Sequence, residues 1–103
     1  TLVGTARSDV MYGRGGNDLL MGNAGNDILV GGPGADRLVG GAGIDTASYH
    51  DSPTGVTINL ATNANSGGAA GDLLFGVENL LGSRFNDVLL GDRGMNVIQG
   101  GDG

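Results

Sequence analysis

The chain has 103 residues, 23 of them glycine, a formal net charge of −6 and no cysteine. Its acid groups are ten aspartates and one glutamate, and its five basic residues are all arginine. Such a surface repels nucleic acid and anionic membranes and suits a cation; disulfides cannot supplement a thin core, and no run of 18 apolar residues offers a membrane span.

Glycine without order would make a flexible linker, but here it is ordered from the start. The segments GTARSDVMY (4–12), GRGGNDLLM (13–21), GNAGNDILV (22–30), GGPGADRLV (31–39) and GGAGIDTAS (40–48) keep a nine-residue clock. Position six holds Asp9, Asp18, Asp27, Asp36 and Asp45. Position eight holds Met11, Leu20, Leu29, Leu38 and Ala47, and positions one and four are mostly glycine. Each repeat reads as six turn residues and a three-residue strand whose middle side chain points inward, because side chains alternate along a strand. Glycine tolerates positive φ, so G-G-x-G bends tightly and aims its carbonyls at one point. One nonapeptide can bury nothing alone. Stacked copies share backbone hydrogen bonds at about 4.8 Å spacing and line up position eight as a core. Two repeats then make one coil, with Asp9, Asp27 and Asp45 in one column and Asp18 and Asp36 in the other. Like charges in a column repel unless a divalent cation lies between turns. An all-oxygen set of carbonyls and aspartates selects Ca²⁺ over Zn²⁺ or Mg²⁺.

Residues 49–72, YHDSPTGVTINLATNANSGGAAGD, break the clock: Gly40 and Gly82 are 42 residues apart, not a whole number of nines. GVTINL alternates apolar and polar residues and predicts a strand. NANSGGAAGD predicts a surface loop, with Asp51 and Asp72 at solvated positions. Val56, Ile58, Leu60, Leu74, Phe75 and Val77 are expected to extend the core, and the segment to continue one sheet while the rest bulges outward. LLFGVENLL (73–81) is a degenerate repeat with Glu78 in the carboxylate slot. GSRFNDVLL (82–90) supplies Asp87, and GDRGMNVIQ (91–99) puts Asn96 in that slot. The last residues, GGDG, read as another repeat begun, so the chain is expected to be a piece of a longer protein. The organisation is one domain: a first repeat block (1–48), a spacer (49–72) and a second block (73–103).

No catalytic constellation appears. His50, Asp51 and Ser52 are consecutive, whereas triad partners converge through a fold. No GxxxxGK[ST] phosphate loop occurs. No catalytic residue and no organic cofactor site is expected, and the chain reads as a non-enzyme. Tyr12, Tyr49, Phe75 and Phe85 read as filling or capping residues, and the arginines as residues of turns and outer strand faces.

Residues 31–39 match G-G-x-G-x-D-x-U-x at every fixed position, a known signature of Ca²⁺-binding parallel β-helix repeats. The chain resembles the RTX (repeats-in-toxin) family over residues 4–48 and 73–103, and the run 45–92 resembles a spacer common in large bacterial RTX proteins. The resemblance implies a right-handed parallel β-roll, all β, with Ca²⁺ between stacked turns. Its usual ligands are position-six aspartates and carbonyls of positions one to four. Carried over, the carboxylates are Asp9, Asp18, Asp27, Asp36, Asp45 and Asp87. The carbonyls are those of Gly13 and Gly15, then Gly22, Ala24 and Gly25, then Gly31, Gly32 and Gly34, and finally Gly41 and Gly43. The best sites join turns 13–18 with 31–36 and 22–27 with 40–45; a weaker one joins 4–9 with 22–27. Three Ca²⁺ would cancel the net charge. The implied role is a monomeric Ca²⁺-binding module, folding after secretion from a Gram-negative bacterium by a type I route, with Ca²⁺ and the rest of its parent chain as partners. The rival reading is an adhesion or glycan-contacting module, marked by a basic or aromatic stripe on one face.

Overall fold

The computed structural model describes residues 2–50, 52–60, 63, 65–85, 87–90 and 98–99. Its regular strands are three residues long, because the glycine-rich turns on either side leave no more of each nonapeptide extended. In chain order they are β1 (Leu2–Val3), β2 (Val10–Tyr12), β3 (Leu19–Met21), β4 (Ile28–Val30), β5 (Arg37–Val39) and β6 (Thr46–Ser48). After the spacer strands β7 (Val56–Asn59) and β8 (Ser66–Gly67) come β9 (Leu73–Phe75), β10 (Asn79–Leu81), β11 (Val88–Leu90) and β12 (Ile98–Gln99).

Successive strands alternate between two parallel sheets, ordered β1-β3-β5-β9 and β12-β10-β6-β4-β2. Within each, Leu20 lies opposite Leu38 and Met11 opposite Leu29, the 18-residue offset of one full coil. The ladder runs on into the turns: the N–H groups of Gly4, Gly13, Gly22 and Gly40 donate to the carbonyls of Met21, Val30, Val39 and Phe75 in the next coil. This is a parallel β-roll. Position eight fills it: Leu20, Leu29, Leu38 and Ala47 are wholly buried, with Leu74 and Leu80 continuing the two rows. Positions seven and nine alternate with it: Val10 and Tyr12 are exposed, whereas Val30 and Ser48, also at position nine, are covered.

The same alternation corrects one expectation. Val56, Ile58, Leu60, Leu74 and Val77 join the core as expected, but Phe75 is 45% exposed, because it holds position nine of β9.

The spacer is built more tightly than a bulge. β7 is the expected strand, but it extends neither main sheet: it pairs in parallel with β11 and antiparallel with β8. It is β9 that carries the first sheet onward from β5. The predicted surface loop contains β8 and the fully buried Ala69 and Asp72. Asn63 takes the place of a strand neighbour: its side chain accepts the N–H and donates to the carbonyl of Leu74. Asn65 does likewise, accepting the Asn59 N–H and donating to the Asp72 carbonyl.

The register also locates the break in the clock. Arg37 pairs with Leu73 and Thr46 with Asn79. The 18 residues 49–66 are thus two whole nonapeptides, and GGAAGDLLF (67–75) is a repeat in phase with Gly40. The irregularity is a single short turn, residues 76–78, between β9 and β10.

Candidate metal centre

Six-residue turns connect the sheets along both edges of the roll. Position four is left-handed at Gly16, Gly25, Gly34 and Gly43, with φ between 90° and 106°. Position two is left-handed as well, at Gly32 and Gly41 and also at Arg14 and Asn23, the latter two with φ of 66° and 67°. Two left-handed residues per turn coil the backbone so that its carbonyls face the neighbouring turn. A Cβ on Gly25 would sit 2.6 Å from the Arg7 carbonyl oxygen, and one on Gly32 2.8 Å from that of Arg14. Gly34, Gly41 and Gly43 press in the same way on the carbonyls of Gly16, Asn23 and Gly25.

The carboxylates form ladders. The backbone N–H of each slot residue donates to a carboxylate oxygen one coil further on: Asp9 to Asp27 Oδ1, Asp27 to Asp45 Oδ1, and Asp18 to Asp36 Oδ1, each 2.9 Å. The expected columns are therefore the observed ones. Each also extends. Asp45 N–H donates to Glu78 Oε1 at 2.8 Å and Asp36 N–H to Asp72 Oδ1 at 2.7 Å. Asp87 Oδ1 accepts from Val56 N–H and from Ser83 Oγ. At position five, Asn17 and Asn26 make a parallel ladder, accepting the N–H groups of Ala35 and Ile44.

The second carboxylate oxygen is the telling one. Oδ2 of Asp18, Asp27, Asp36, Asp45 and Asp87 is buried with no hydrogen-bond partner. A buried anionic oxygen without a donor is costly. It also lines, with a backbone carbonyl oxygen, the space beside a position-one glycine. The position a Cβ would take on Gly13 lies 2.9 Å from Asp18 Oδ2 and 2.8 Å from the Gly31 carbonyl oxygen. On Gly22 the corresponding pair is Asp27 Oδ2 at 2.5 Å and Gly40 O at 2.8 Å. On Gly40 it is Asp45 Oδ2 at 2.6 Å and Gly76 O, and at Gly31 the nearest atoms all belong to Asp36. Position one is glycine here because a side chain would fill this oxygen-lined space. Burial, and then the neighbouring carboxylates, push Asp36 and Asp45 up to about 6. Orphaned oxygens facing carbonyls fit a hard divalent cation, and Asp18, Asp27 and Asp45, with the carbonyls of Gly31, Gly40 and Gly76, are the groups that would hold it. No three His, Cys, Asp or Glu side chains cluster among the described residues, so most of the ligand set would come from backbone.

The first turn, 4–9, differs. Thr5 replaces the position-two glycine, and its N–H and Oγ1 both reach Asp9 Oδ2, at 2.7 and 3.1 Å. Gly15 and Ala24, at position three, are exposed. The readings that fall on Asp51, Asp92, Arg93, Asn96 and residues 100–103 lie outside the described residues.

Asp72 was expected to be solvated and is not. It is 1% exposed, and its Oδ2 accepts the Tyr49 hydroxyl at 2.8 Å. Burial raises both groups above their ordinary values, Tyr49 with help from the Asp72 charge. The sequence reading did not place Asp72 in the carboxylate ladder, although position six of the 67–75 repeat was the signal for it, and it did not name Gly40 or Gly76 among the carbonyls beside the slots. His50 is exposed, its Nδ1 3.0 Å from Ser48 Oγ, while Ser52 Oγ donates to the Thr54 carbonyl. A cavity of about 440 Å³ between turn 31–36 and the spacer is lined by Pro33, Ser48, Tyr49, Ser52 and Pro53 among others, with neither carboxylate nor histidine among the described residues.

The model of the RTX calcium-binding nonapeptide repeat matches in four copies, over residues 1–29, 12–47 and 81–103. No curated protein matches the chain. The repeat segments span more than half of the sequence and contain the orphaned carboxylates, and the chain belongs to the family of RTX calcium-binding nonapeptide repeats.

Proposed function

We propose that this roll is a module of a larger secreted protein and that Ca²⁺ drives its folding outside the cell. The observation that carries the reading is the buried, donorless Oδ2 of Asp18, Asp27, Asp36 and Asp45. Without a cation these groups oppose the stacking that the leucine rows favour. A chain this rich in glycine has little else to offset its ordering entropy. Binding energy then becomes folding energy. Extracellular Ca²⁺ modules work at about 10⁻⁴–10⁻³ M, so such a module stays open where Ca²⁺ is scarce and closes after export. Type I secretion from a Gram-negative bacterium fits that order of events.

Three ions are the stoichiometry we favour. Two sit at Asp18 with Gly31 and at Asp27 with Gly40. The third sits at Asp45 with Gly76 rather than at Asp9, whose Oδ2 Thr5 already occupies. The chain carries no chemistry of its own in this reading. The adhesion alternative has less behind it: exposed Tyr12 and Phe75 lie on strands of different sheets and form no single stripe. Far-UV circular dichroism during a Ca²⁺ titration, with Mg²⁺ as control, tests the proposal. A cooperative coil-to-β transition with Ca²⁺ alone supports it; a β spectrum indifferent to chelator overturns it.

A further inference from the structure

Tyr49 stands on position one of the clock, nine residues after Gly40. Its backbone behaves accordingly: its N–H donates to the Leu81 carbonyl, as Gly40 N–H does to Phe75. Yet position one is where a side chain would enter the oxygen-lined space, and glycine keeps that space open at Gly13, Gly22 and Gly40. At residue 49 a buried phenol is there instead, 3% exposed, with its hydroxyl on the Oδ2 of the slot residue Asp72. That oxygen is the atom left donorless at Asp18, Asp27, Asp36 and Asp45. The other end of the molecule repeats the arrangement independently: the first carboxylate of its column, Asp9, has its Oδ2 taken by Thr5.

We infer that Tyr49 takes the place of a cation and closes the second carboxylate column, so that Asp72 completes the ladder without being a Ca²⁺ ligand. The hydroxyl provides the donor that an ion would otherwise replace, and the spacer is thereby pinned to the roll over Asp36. Asp72 Oδ1 holds the Asp36 N–H, so ordering of the spacer and ion binding at turns 13–18 and 31–36 favour one another. The inference rests on the proposed Ca²⁺ function. A wild-type chain that binds no Ca²⁺ would sink that function, whereas a difference between variants of a chain that does bind bears on Tyr49 and Asp72 alone.

The test is the number of Ca²⁺ bound per chain, by calorimetry with Ca²⁺ alone, for wild type, Asp72→Asn and Asp27→Asn. The side-chain amide in Asp72→Asn can still accept the Asp36 N–H and bond to the phenol oxygen. We expect Asp72→Asn to bind as many ions as wild type and Asp27→Asn to bind at least one fewer. Loss of an ion in Asp72→Asn overturns the inference. A second readout does not depend on how well that variant folds. In the Tyr12→Phe chain, Tyr49 is the one tyrosine, and a phenol donating to a buried carboxylate absorbs to the red of a solvated one. Ca²⁺ should bring that red shift; its absence in the Ca²⁺-loaded chain would mean that the phenol does not cap Asp72.

Discussion

In the regular turns, Asp18, Asp27, Asp36 and Asp45 each give one oxygen to a backbone N–H or stand beside one that does, and leave Oδ2 buried without a donor. In the spacer, Asp72 makes the same first bond and finds a phenol for its second oxygen. The difference follows from chain length. A six-residue turn built on glycine has no side chain to bring to its own carboxylate, and on the proposed function the missing charge arrives from solution. Residues 49–72 have room to bring Tyr49 to the second oxygen of Asp72, and Asn63 and Asn65 to the backbone of Leu74, Asn59 and Asp72 beside it. On the proposed function, one region is conditional on an ion, and the other carries its donors with it.

Breaking the ionic side should cost most. Asp27→Asn removes a charge from a wholly buried slot, and we expect the Ca²⁺ needed for half-folding to rise about 100-fold, or roughly 3 kcal/mol, read by circular dichroism. Leu38→Ala attacks what both regions share, the core row from Leu20 to Leu74. It should lower stability in saturating Ca²⁺ by about 3 kcal/mol in urea melts, with the ion count unchanged. Gly22→Ala puts a methyl 2.5 Å from Asp27 Oδ2 and should cost about 2 kcal/mol, whereas Gly15→Ala, with nothing within 4 Å of its Cβ, should change little. Calcium titrations of the two variants side by side check the contrast.

The pH response should have opposite signs with and without the ion. Asp36 and Asp45 lie at about 6 in the folded chain against 3.8 for an ordinary aspartate. Their folded values are raised, so the metal-free roll binds more protons than the open chain. Its stability is greatest below about pH 4 and falls as pH rises through 6. Ca²⁺ needs the ionised carboxylates, so the stability it adds shrinks as protons compete for them, and in its presence folding weakens as pH falls toward the ordinary aspartate value. Melting curves between pH 4 and 7, with Ca²⁺ and with chelator, should lie far apart at pH 7 and converge as pH falls. The smallest effect belongs to Phe75→Ser, within about 0.5 kcal/mol, since Phe75 is half-exposed; the neighbouring, buried Leu74→Ser should be severe by the same melts.

The coil, the two columns and the leucine rows were all legible, because each rests on a period and a period survives in one dimension. Asp72 was not. Counting back from Gly82 crosses the short turn at Gly76, which hides that GGAAGDLLF keeps phase with Gly40. The pairing of Tyr49 with Asp72 spans 23 residues and has no period to betray it. The partner of β11 was equally hidden: the clock assigns it to β9, but β7 takes that side.

The central claim is that cations sit at the donorless oxygens. The most direct measurement is a crystal structure of this chain grown in Ca²⁺, with anomalous scattering to identify the ion. The account predicts Ca²⁺ peaks about 2.3–2.6 Å from Oδ2 of Asp18, Asp27 and Asp45, beside the carbonyls of Gly31, Gly40 and Gly76, and no peak at Asp72. A folded roll with those oxygens protonated or bound to water would contradict it.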